Sequence, residues 1–329
     1  MLNVQIDLRG GIGNQLFGGA LALALVSTTK STRVICSDRL ISLGVNPTRD
    51  LQIDKLGIFS HPRIEFVKSN NFFIKILIGN SLLRRVWWRI SKWQLRESVI
   101  SQRDIWDLKV PRSKTLVFSD YFDNWFFIEQ ATKSLYFPPY PTFSRENSEL
   151  KNVEKLIEDK EVIVIHCRIG DYVDLPEYHK ILPESYFLSA IKRLNENQET
   201  SPRIVIFCES FHQLSEYYPN LSKLATRIVD SNSGFSDIDS FSLMCRSHNL
   251  IAANSTFSSW AAWFVQRRGF KVVRPVLSKR VAEEDGSIYL DWTLFDLETC
   301  FFIQGDSSDK NAWLKQKSQI FCRFESLFQ

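Results

Sequence analysis

The sequence lacks the closely spaced cysteine pairs of a disulfide framework or a zinc site. Its 329 residues include six cysteines, at positions 36, 167, 208, 245, 300 and 322, and none of them forms a C-x-x-C pair. Widely spaced free thiols are typical of a reducing compartment rather than of a secreted scaffold. The sequence therefore predicts a cytoplasmic protein without a structural zinc site.

Long apolar runs are absent as well. The first ten residues, MLNVQIDLRG, carry charges at Asp7 and Arg9, and no later window reaches the roughly 18 uninterrupted apolar residues of a membrane span. We therefore expect neither a secretory signal nor a transmembrane helix. The net charge of +4 is small, so it argues weakly for anionic partners and hardly at all for nucleic acid.

What the sequence does contain is typical of a folded protein with two domains. Hydrophobic residues make up 44% and charged residues 24%, and the length is about twice that of a typical single domain. The stretch FPPYPTF (137–143) has three prolines and predicts a semi-rigid extended connector. We predict a first domain at 1–143, a second at 144–300, and a helical segment at 301–329 that packs back on the first domain.

Strand and helix patterns alternate in both halves of the chain. Residues 2–9 alternate apolar and polar side chains, GGIGNQ breaks the pattern, and apolar residues then recur at helical spacing over 16–25. Between 162 and 275, five short apolar runs alternate with four helical patterns. This order predicts an α/β fold with a parallel sheet covered on both faces.

Residues 72–96 form a basic, aromatic-rich stretch. It contains three tryptophans, several Lys and Arg residues and no acid. One interpretation is a surface that associates with an anionic membrane. The alternative is a buried helix with solvated cations, because adjacent tryptophans often fill a core.

The stretch VIVIHCRIGDYVD (162–174) places charged residues at the end of an apolar strand. In an open parallel sheet, ligands bind at the carboxyl ends of the strands, where the strand order reverses. If the strand continues, His166 and Arg168 point to one face and Cys167 to the other. A guanidinium suits a diphosphate, whose charge develops as it leaves. The alternative is an ion pair between Arg168 and Asp171 that only holds the turn.

The stretch GGIGNQ (10–15) lies between a strand and a helix. Backbone N–H groups at Gly11 and Gly13, together with the start of the helix, favour an anion. The carboxamides of Asn14 and Gln15 are suited to bind sugar hydroxyls. A tight turn without a ligand is the alternative interpretation.

The stretch NLIAANSTFSSWAAWF (249–264) combines a short strand, a cluster of hydroxyl residues and an aromatic helix. One Ser or Thr at such a position caps the helix, but the cluster holds more hydroxyls than a cap requires. The surplus donors suit phosphate oxygens. The predicted nucleotide-binding residues here are Asn254, Ser255, Thr256, Phe257 and Ser258.

Three segments, in this order, resemble one family. GGIGNQLF near the N-terminus, HCRIGDY (166–172) and NSTFSSWAAW (254–263) are similar to the motifs of the α-1,2-fucosyltransferases, glycosyltransferase family 11, of the bacterial O-antigen type. The resemblance implies a GT-B-like fold, with two Rossmann-like domains facing across a cleft. It also implies an acceptor-side first domain, a second domain that binds GDP-β-L-fucose, inversion to an α-linkage, and no metal.

Carried over residue by residue, the resemblance makes Arg168 the ligand of the donor diphosphate. Ile169 stands where many members have a second arginine, so one phosphate contact or one stabilising pair is missing or supplied elsewhere. FCES (207–210) departs from the usual S-D-D-like run. The other matched positions of the second motif are His166, Gly170, Asp171 and Tyr172.

Asp239 resembles a carboxylate that pairs with guanine in related fucosyltransferases. With Asp237 it also mimics the D-x-D metal site of other glycosyltransferases. Two carboxylates alone make a weak site for Mg²⁺ or Mn²⁺, which would also need nucleotide phosphates as ligands. We therefore interpret the pair as a helix cap and expect no metal site.

The predicted reaction is the inverting transfer of L-fucose to the 2-hydroxyl of a galactoside or similar acceptor. Arg168 would neutralise the departing phosphate, Asp171 is the first choice for a base, and His166 completes the predicted catalytic set. The base stays open, because an oxocarbenium-like path with a strong leaving group needs little proton removal.

The expected partners are GDP-fucose and a glycan acceptor, a lipid-linked oligosaccharide, at the cytoplasmic face of the bacterial inner membrane. Two alternatives stay open. One is an NAD-dependent oxidoreductase that uses the first strand–loop–helix unit and Asp38, although Leu16 replaces the third glycine of the dinucleotide fingerprint. The other is a non-catalytic sugar-binding protein, which Ile169 makes worth considering.

Overall fold

The computed structural model describes most of the chain. The described residues are 2–29, 32–38, 50–68, 98–108, 115–133, 135–144, 147–174, 180–198, 200–277, 279–305 and 308–326. The chain divides into two compact units, one made of Met1–Phe137 with Asn311–Gln329 and the other of Pro138–Lys310. The basic stretch at 72–96 lies outside the described residues, so both interpretations of it stay predictions.

The first unit contains a parallel sheet of five strands. In chain order they are β1 (Leu2–Asp7), β2 (Thr32–Ser37), β3 (Ile64–Val67), β4 (Ser98–Ile100) and β5 (Thr115–Phe118). Their order across the sheet is β3-β2-β1-β5-β4, and every pairing is parallel. The sequence indicated the first two of these strands.

The second unit contains a sheet of seven strands. They are β6 (Val162–His166), β7 (Arg203–Phe207), β8 (Arg227–Val229), β9 (Asn249–Ile251), β10 (Lys271–Val276), β11 (Thr293–Asp296) and β12 (Phe302–Gln304). Their order is β12-β11-β10-β9-β6-β7-β8. All neighbours pair in parallel except β11 and β12, which are antiparallel. The predicted parallel sheet is therefore confirmed for the strands that the sequence indicated, with an antiparallel strand added at one edge.

Helices connect these strands. In chain order they are α1 (Ile12–Thr28), α2 (Gln102–Trp106), α3 (Phe126–Ala131), α4 (Ser148–Ile157), α5 (Glu184–Asn195), α6 (Phe211–Tyr217), α7 (Pro219–Leu224), α8 (Asp237–Arg246), α9 (Thr256–Arg267), α10 (Lys279–Asp285) and α11 (Lys310–Ser326). Each unit is thus a Rossmann-like α/β layer structure, and the predicted fold class is confirmed at that level. The expected cleft between two domains stays a prediction.

Helix α1 is apolar on nearly all sides, and its small residues explain how it is buried. A Cβ atom at Gly18 would lie 2.5 Å from Cδ2 of Leu8, and one at Gly19 would lie 2.5 Å from Cδ1 of Ile53. The two glycines therefore leave room for the side chains of Leu8 and Ile53 against the helix. Tight packing of α1 fixes the turn that connects it to β1.

The proline-rich connector packs on the second unit, which places the division between the units earlier than we predicted. The guanidinium of Arg246 lies 4.1 Å from the ring centre of Tyr140 and 4.0 Å from that of Phe143. It also donates a hydrogen bond to the carbonyl of Pro141 at 3.0 Å. These contacts explain why the structure divides after Phe137 rather than after residue 143.

Helix α11 belongs to the first unit, so the structure sets its boundary after Lys310 rather than after residue 300. The ring of Phe321 lies 5.7 Å from that of Phe126 and 6.1 Å from that of Phe127. Trp313 makes an edge contact with Phe126 at 6.2 Å. Among the helices that the structure describes, none is long and apolar enough to span a membrane.

Candidate functional site

The strand order of the second sheet reverses between β6 and β9. From β6 the chain proceeds outward to β7 and β8, and from β9 it proceeds in the other direction to β10 and β11. The carboxyl ends of β6 and β9 therefore form a topological switch point, where open α/β sheets bind ligands. The segment HCRIGDY begins with the last residue of β6, and the segment NSTFSS follows β9. The fold brings these two predicted site segments together.

Arg168 lies just beyond the end of β6 and is held by two carboxylates. Its Nη2 atom is 2.7 Å from Oδ1 of Asp171, and its Nη1 atom donates a hydrogen bond to Oε1 of Glu209 at 2.5 Å. The side chain of Arg168 is 24% exposed, so the group remains open to a ligand. The ion pair with Asp171, our alternative interpretation of this turn, is present.

The alternation that we predicted after β6 separates the side chains in the core from those available to a ligand. Cys167 and Ile169 are buried in the apolar core of the second unit, beside residues such as Tyr186 and Leu214. Arg168 has the opposite orientation, as strand geometry requires. Ile169 is therefore a core residue, and its side chain is not part of the charged cluster.

Glu209 is the site residue that the sequence analysis missed. His166 and Phe207 are paired across β6 and β7, so Arg168 and Glu209 stand at equal distances beyond the two strand ends. The other carboxylate oxygen of Glu209 accepts a hydrogen bond from the backbone N–H of Ile169 at 3.3 Å. The sequence shows only that FCES differs from the S-D-D-like run of the family. If the two strands are aligned so that His166 pairs with Phe207, Glu209 lies opposite Arg168.

Gly170 allows the approach of Glu209. A Cβ atom at position 170 would lie 3.2 Å from both Cγ and Cδ of Glu209, which is closer than ordinary packing allows. The absence of a side chain at this position therefore has a steric reason. It lets the turn after β6 and the segment after β7 lie against each other.

Tyr172 connects the two segments of the switch point. Its hydroxyl donates a hydrogen bond to the carbonyl of Asn254 at 3.0 Å, and its ring lies 5.6 Å from the guanidinium of Arg168. The Asn254 amide nitrogen donates to the carbonyl of Lys180 at 2.7 Å. Its buried Oδ1 atom has no hydrogen-bond partner in the described ranges, which makes it a candidate ligand acceptor.

His166 is buried at the end of β6, and its ring lies 5.5 Å from that of Phe257. Burial lowers its pKa to about 3, with a further contribution from the positive charge of Arg168. The imidazole is therefore neutral near neutral pH and a weak base. Its Nδ1 atom lacks a partner among the residues that the structure describes.

The hydroxyl residues at the start of α9 differ in what they can offer to a ligand. Ser258 is fully buried, and its hydroxyl bonds to the backbone of Ala253. Ser259 donates to the carbonyl of Ser255 at 2.9 Å. The Ser255 side chain makes no capping hydrogen bond to this helix. Two of the predicted surplus hydroxyls are thus used within the turn, while Ser255 and Thr256 lie at the partly exposed helix start.

Asp239 is fully buried in a capping box at the start of α8. It accepts hydrogen bonds from the backbone and hydroxyl of Ser144 at 2.9 and 2.8 Å, and from the hydroxyl of Ser236 at 2.7 Å. Burial alone would raise the pKa of Asp239, but these hydrogen bonds outweigh it and lower the pKa. Asp237 is exposed in the same turn. The helix-cap interpretation is confirmed for Asp239, and a guanine contact would have to displace existing donors.

The turn after β1 in the first unit uses its polar groups internally. Gln15 is fully buried and bonds to four backbone groups. Its amide nitrogen donates to the carbonyls of Gly10 and Asp50 at 3.1 and 3.0 Å. Its amide oxygen accepts from the N–H groups of Gln52 and Ile53 at 3.0 and 3.3 Å. All the hydrogen-bonding capacity of this carboxamide is therefore satisfied by the chain itself.

The glycine with a special backbone conformation in this turn is not one of the two that we singled out. Gly10 has φ +59°, in the left-handed region that favours glycine, and a Cβ atom there would lie 2.6 Å from Nδ2 of Asn14. Gly11 is the N-cap of α1, with φ −77°. Gly13 is buried within the first turn of the helix, and Asn14 is half-buried. Gly10, rather than Gly11 or Gly13, provides the special conformation.

Comparison with known proteins identifies the segment that carries this site. The sequence model of glycosyl transferase family 11 matches residues 141–295. Residues 141–295 are therefore similar to glycosyl transferase family 11. The family 11 segment includes both motifs at the switch point, and the resemblance inferred from the sequence is confirmed there. The match supports a glycosyltransferase.

Comparisons over most of the chain find similarity to bacterial glycosyltransferases. The chain is 23% identical over 283 residues to the O-antigen biosynthesis glycosyltransferase WbnK of Escherichia coli, covering 78% of this chain and 88% of that protein. Among solved structures, a glycosyl transferase family 9 protein from Veillonella parvula has a TM-score of 0.46 and 10% identity, with coverage of 99% and 97%. Fucosyltransferase NodZ from Bradyrhizobium has a TM-score of 0.41 and 14% identity, with coverage of 80% and 93%. Both TM-scores lie below 0.5, so these two likenesses add no argument.

Proposed function

We propose that the protein transfers L-fucose from GDP-β-L-fucose to the 2-hydroxyl of a galactoside or similar acceptor, with inversion at the anomeric carbon. The family assignment supports sugar transfer, and the resemblance of the motifs to those of α-1,2-fucosyltransferases supports this donor and linkage. The observation that carries the proposal is the partly exposed guanidinium of Arg168 at the switch point of the second sheet.

Arg168 acts on the leaving group in this proposal. The acceptor oxygen forms a bond to the anomeric carbon while the bond from that carbon to the β-phosphate oxygen breaks. The electron pair of the broken bond leaves with GDP, and the acceptor hydroxyl proton passes to a base or to solvent. A fixed guanidinium stabilises the negative charge that grows on the phosphate. Each Nη atom of Arg168 contacts one carboxylate, and a guanidinium has five N–H groups, so donors remain for phosphate oxygens.

The other site residues have supporting roles. Asn254, Ser255 and Thr256 lie where the start of α9 faces the same edge of the sheet, and a helix N-terminus favours phosphate. His166 is neutral, because burial lowers its pKa to about 3, so we assign it to donor contact rather than to proton removal. Asp171 is our candidate base. To accept the proton of the acceptor hydroxyl, its carboxylate would have to leave the ion pair with Arg168 or use the oxygen atom that does not contact Arg168.

The acceptor and location are part of the proposal. Similarity to an O-antigen biosynthesis glycosyltransferase supports a lipid-linked oligosaccharide of an O-antigen repeat as acceptor. Because the lipid of such a substrate lies in the membrane, an enzyme that acts on it would lie at the cytoplasmic face of the membrane. The basic stretch at 72–96 supports a contact with anionic lipid, and binding to anionic vesicles at low salt tests it. We also propose that the reaction needs no metal, so activity should survive EDTA.

A donor screen tests the function directly. Purified protein is incubated with GDP-fucose, GDP-mannose or UDP-galactose and a set of β-galactosides, and released nucleotide and product are measured. We expect acceptor-dependent release of GDP from GDP-fucose, with an α-1,2-linked fucose in the product. Transfer from another nucleotide sugar, or no transfer to any β-galactoside, would contradict the proposal.

A further inference from the structure

The pair between Arg168 and Glu209 joins two segments that are far apart in the sequence. Glu209 contacts Nη1 of Arg168 at 2.5 Å and the backbone N–H of Ile169 at 3.3 Å. Its side chain also lies against Gly170. One carboxylate thus fixes the guanidinium and the backbone of the turn that presents it.

The core position of Ile169 makes this pair more important. The side chain of Ile169 is 1% exposed and belongs to the apolar core, so it supplies no charge to the site. Among the described residues, two carboxylates and the ring of Tyr172 hold the guanidinium of Arg168. Asp171 lies in the same short turn as Arg168, while Glu209 is attached to the neighbouring strand β7. Glu209 is thus the partner that ties the guanidinium to the sheet.

The same pair has an electrostatic consequence. One guanidinium with two carboxylates gives the cluster a net negative charge before any ligand binds. The negative charges of the carboxylates repel those of a diphosphate, so Glu209 should lower the affinity of the site for a free diphosphate. A fixed orientation of Arg168 nevertheless favours the transition state, because small misplacements of a catalytic group are costly.

We propose that Glu209 is a positioning residue, which orients Arg168 for the departing phosphate and at the same time weakens binding of the released nucleotide. This inference rests on the proposed function, since it assigns a role to Glu209 in the same reaction. It predicts that neutralising Glu209 changes turnover and nucleotide affinity in opposite directions. A residue that merely holds the fold would lower both together.

The test uses three substitutions of Glu209. Glu209→Gln keeps the shape but removes the charge, so we expect turnover to fall by roughly tenfold to a hundredfold, while GDP binds several-fold to roughly tenfold more tightly. Glu209→Asp keeps the charge with a shorter reach and should retain wild-type GDP affinity with part of the turnover. Glu209→Ala should lower turnover at least as much as Glu209→Gln.

Glu216→Gln is the matched control. Glu216 lies on α6, which follows Glu209 in the chain, and its side chain is 61% exposed. The control should retain wild-type turnover and GDP affinity. Turnover is measured as GDP released from GDP-fucose with acceptor, and affinity by calorimetry with GDP. Thermal unfolding of each variant shows whether it remains folded.

Inorganic pyrophosphate separates this inference from the proposed function. It should bind more tightly to Glu209→Gln than to the wild type, whichever nucleotide sugar is the true donor. Tighter pyrophosphate binding without transfer from GDP-fucose would contradict the proposed function but not the positioning role. Normal fucosyl transfer by Glu209→Gln, or weaker binding of both GDP and pyrophosphate, would overturn the positioning role.

Discussion

A turn that contains glycine follows β1 in the first sheet and another follows β6 in the second, and the two turns use their polar residues differently. The turn after β1 directs the carboxamide of Gln15 inward, where it bonds to four backbone groups. The turn after β6 leaves the guanidinium of Arg168 partly exposed between two carboxylates. The comparison separates a polar residue whose hydrogen bonds the chain already satisfies from one that keeps donors available for a ligand.

The strongest test of this comparison removes the exposed guanidinium. Arg168→Ala should lower kcat by roughly 10²- to 10³-fold, because one charge-stabilising donor is typically worth that much. Asp171→Asn should cost less, since the base contributes little to a path with a strong leaving group. Arg168→Lys keeps the charge without the fork and should lie between wild type and Arg168→Ala. Wild-type turnover of Arg168→Ala would refute the assigned role.

The matching change in the other turn should affect stability instead. Gln15→Ala leaves four backbone groups without their partners, and we expect a loss of about 2–4 kcal/mol in the free energy of unfolding. Chemical denaturation measures it, with the exposed residue Gln316 changed to Ala as the control. GDP affinity of the folded fraction should equal that of the wild type. Loss of GDP binding at unchanged stability would instead support a ligand-binding role for Gln15.

The buried side chain of His166, in the second turn, should make the stability of the protein depend on pH. Burial lowers the pKa of His166 from 6.5 to about 3, so below about pH 6.5 the unfolded chain takes up a proton that the folded chain does not. This group therefore costs stability as pH falls, by up to about 1.4 kcal/mol per pH unit until the pH reaches the folded-state pKa.

The His166→Gln variant lacks this titration. We expect the free energy of unfolding of this variant to be lower than that of the wild type at neutral pH. The difference between the two should shrink by about 1 kcal/mol when the pH is lowered by one unit below pH 6. Urea denaturation at several pH values measures the difference. A deficit that stays constant between neutral and mildly acidic pH would show that His166 titrates normally in the folded protein.

The smallest expected effect concerns the side of the second turn that faces the core. Ile169→Val removes one methylene group from a buried site and should cost about 1 kcal/mol of stability. Turnover should be unchanged, because the side chain does not belong to the charged cluster. A selective loss of GDP affinity in this variant would contradict the assignment of Ile169 to the core.

Much of the second unit could be predicted from the sequence, because its strands are short apolar runs separated by amphipathic helices. The five apolar runs predicted between 162 and 275 correspond to β6, β7, β8, β9 and β10, and helices lie between them. The alternation after β6 also predicted that Arg168 and Cys167 would face opposite ways. The alternation of apolar runs with helical patterns is informative here even though β8 and β9 have only three residues each.

Other features depend on tertiary structure and left little trace in the sequence. The switch point requires the strand order, which no local pattern contains. The partner of Arg168 in FCES is visible only once β6 and β7 are placed in register. The full use of Gln15 depends on the residues at 50–53, which contact it from a later part of the chain. Hydrogen-bond satisfaction is a property of the folded chain and not of a motif.

A structure of the wild-type protein with GDP bound tests the central claim most directly. The account predicts that Arg168 donates to oxygen atoms of the diphosphate at about 2.7–2.9 Å, with Glu209 still in contact with the guanidinium. A guanidinium that points away from both phosphates while GDP occupies the edge of β6 and β9 would contradict it.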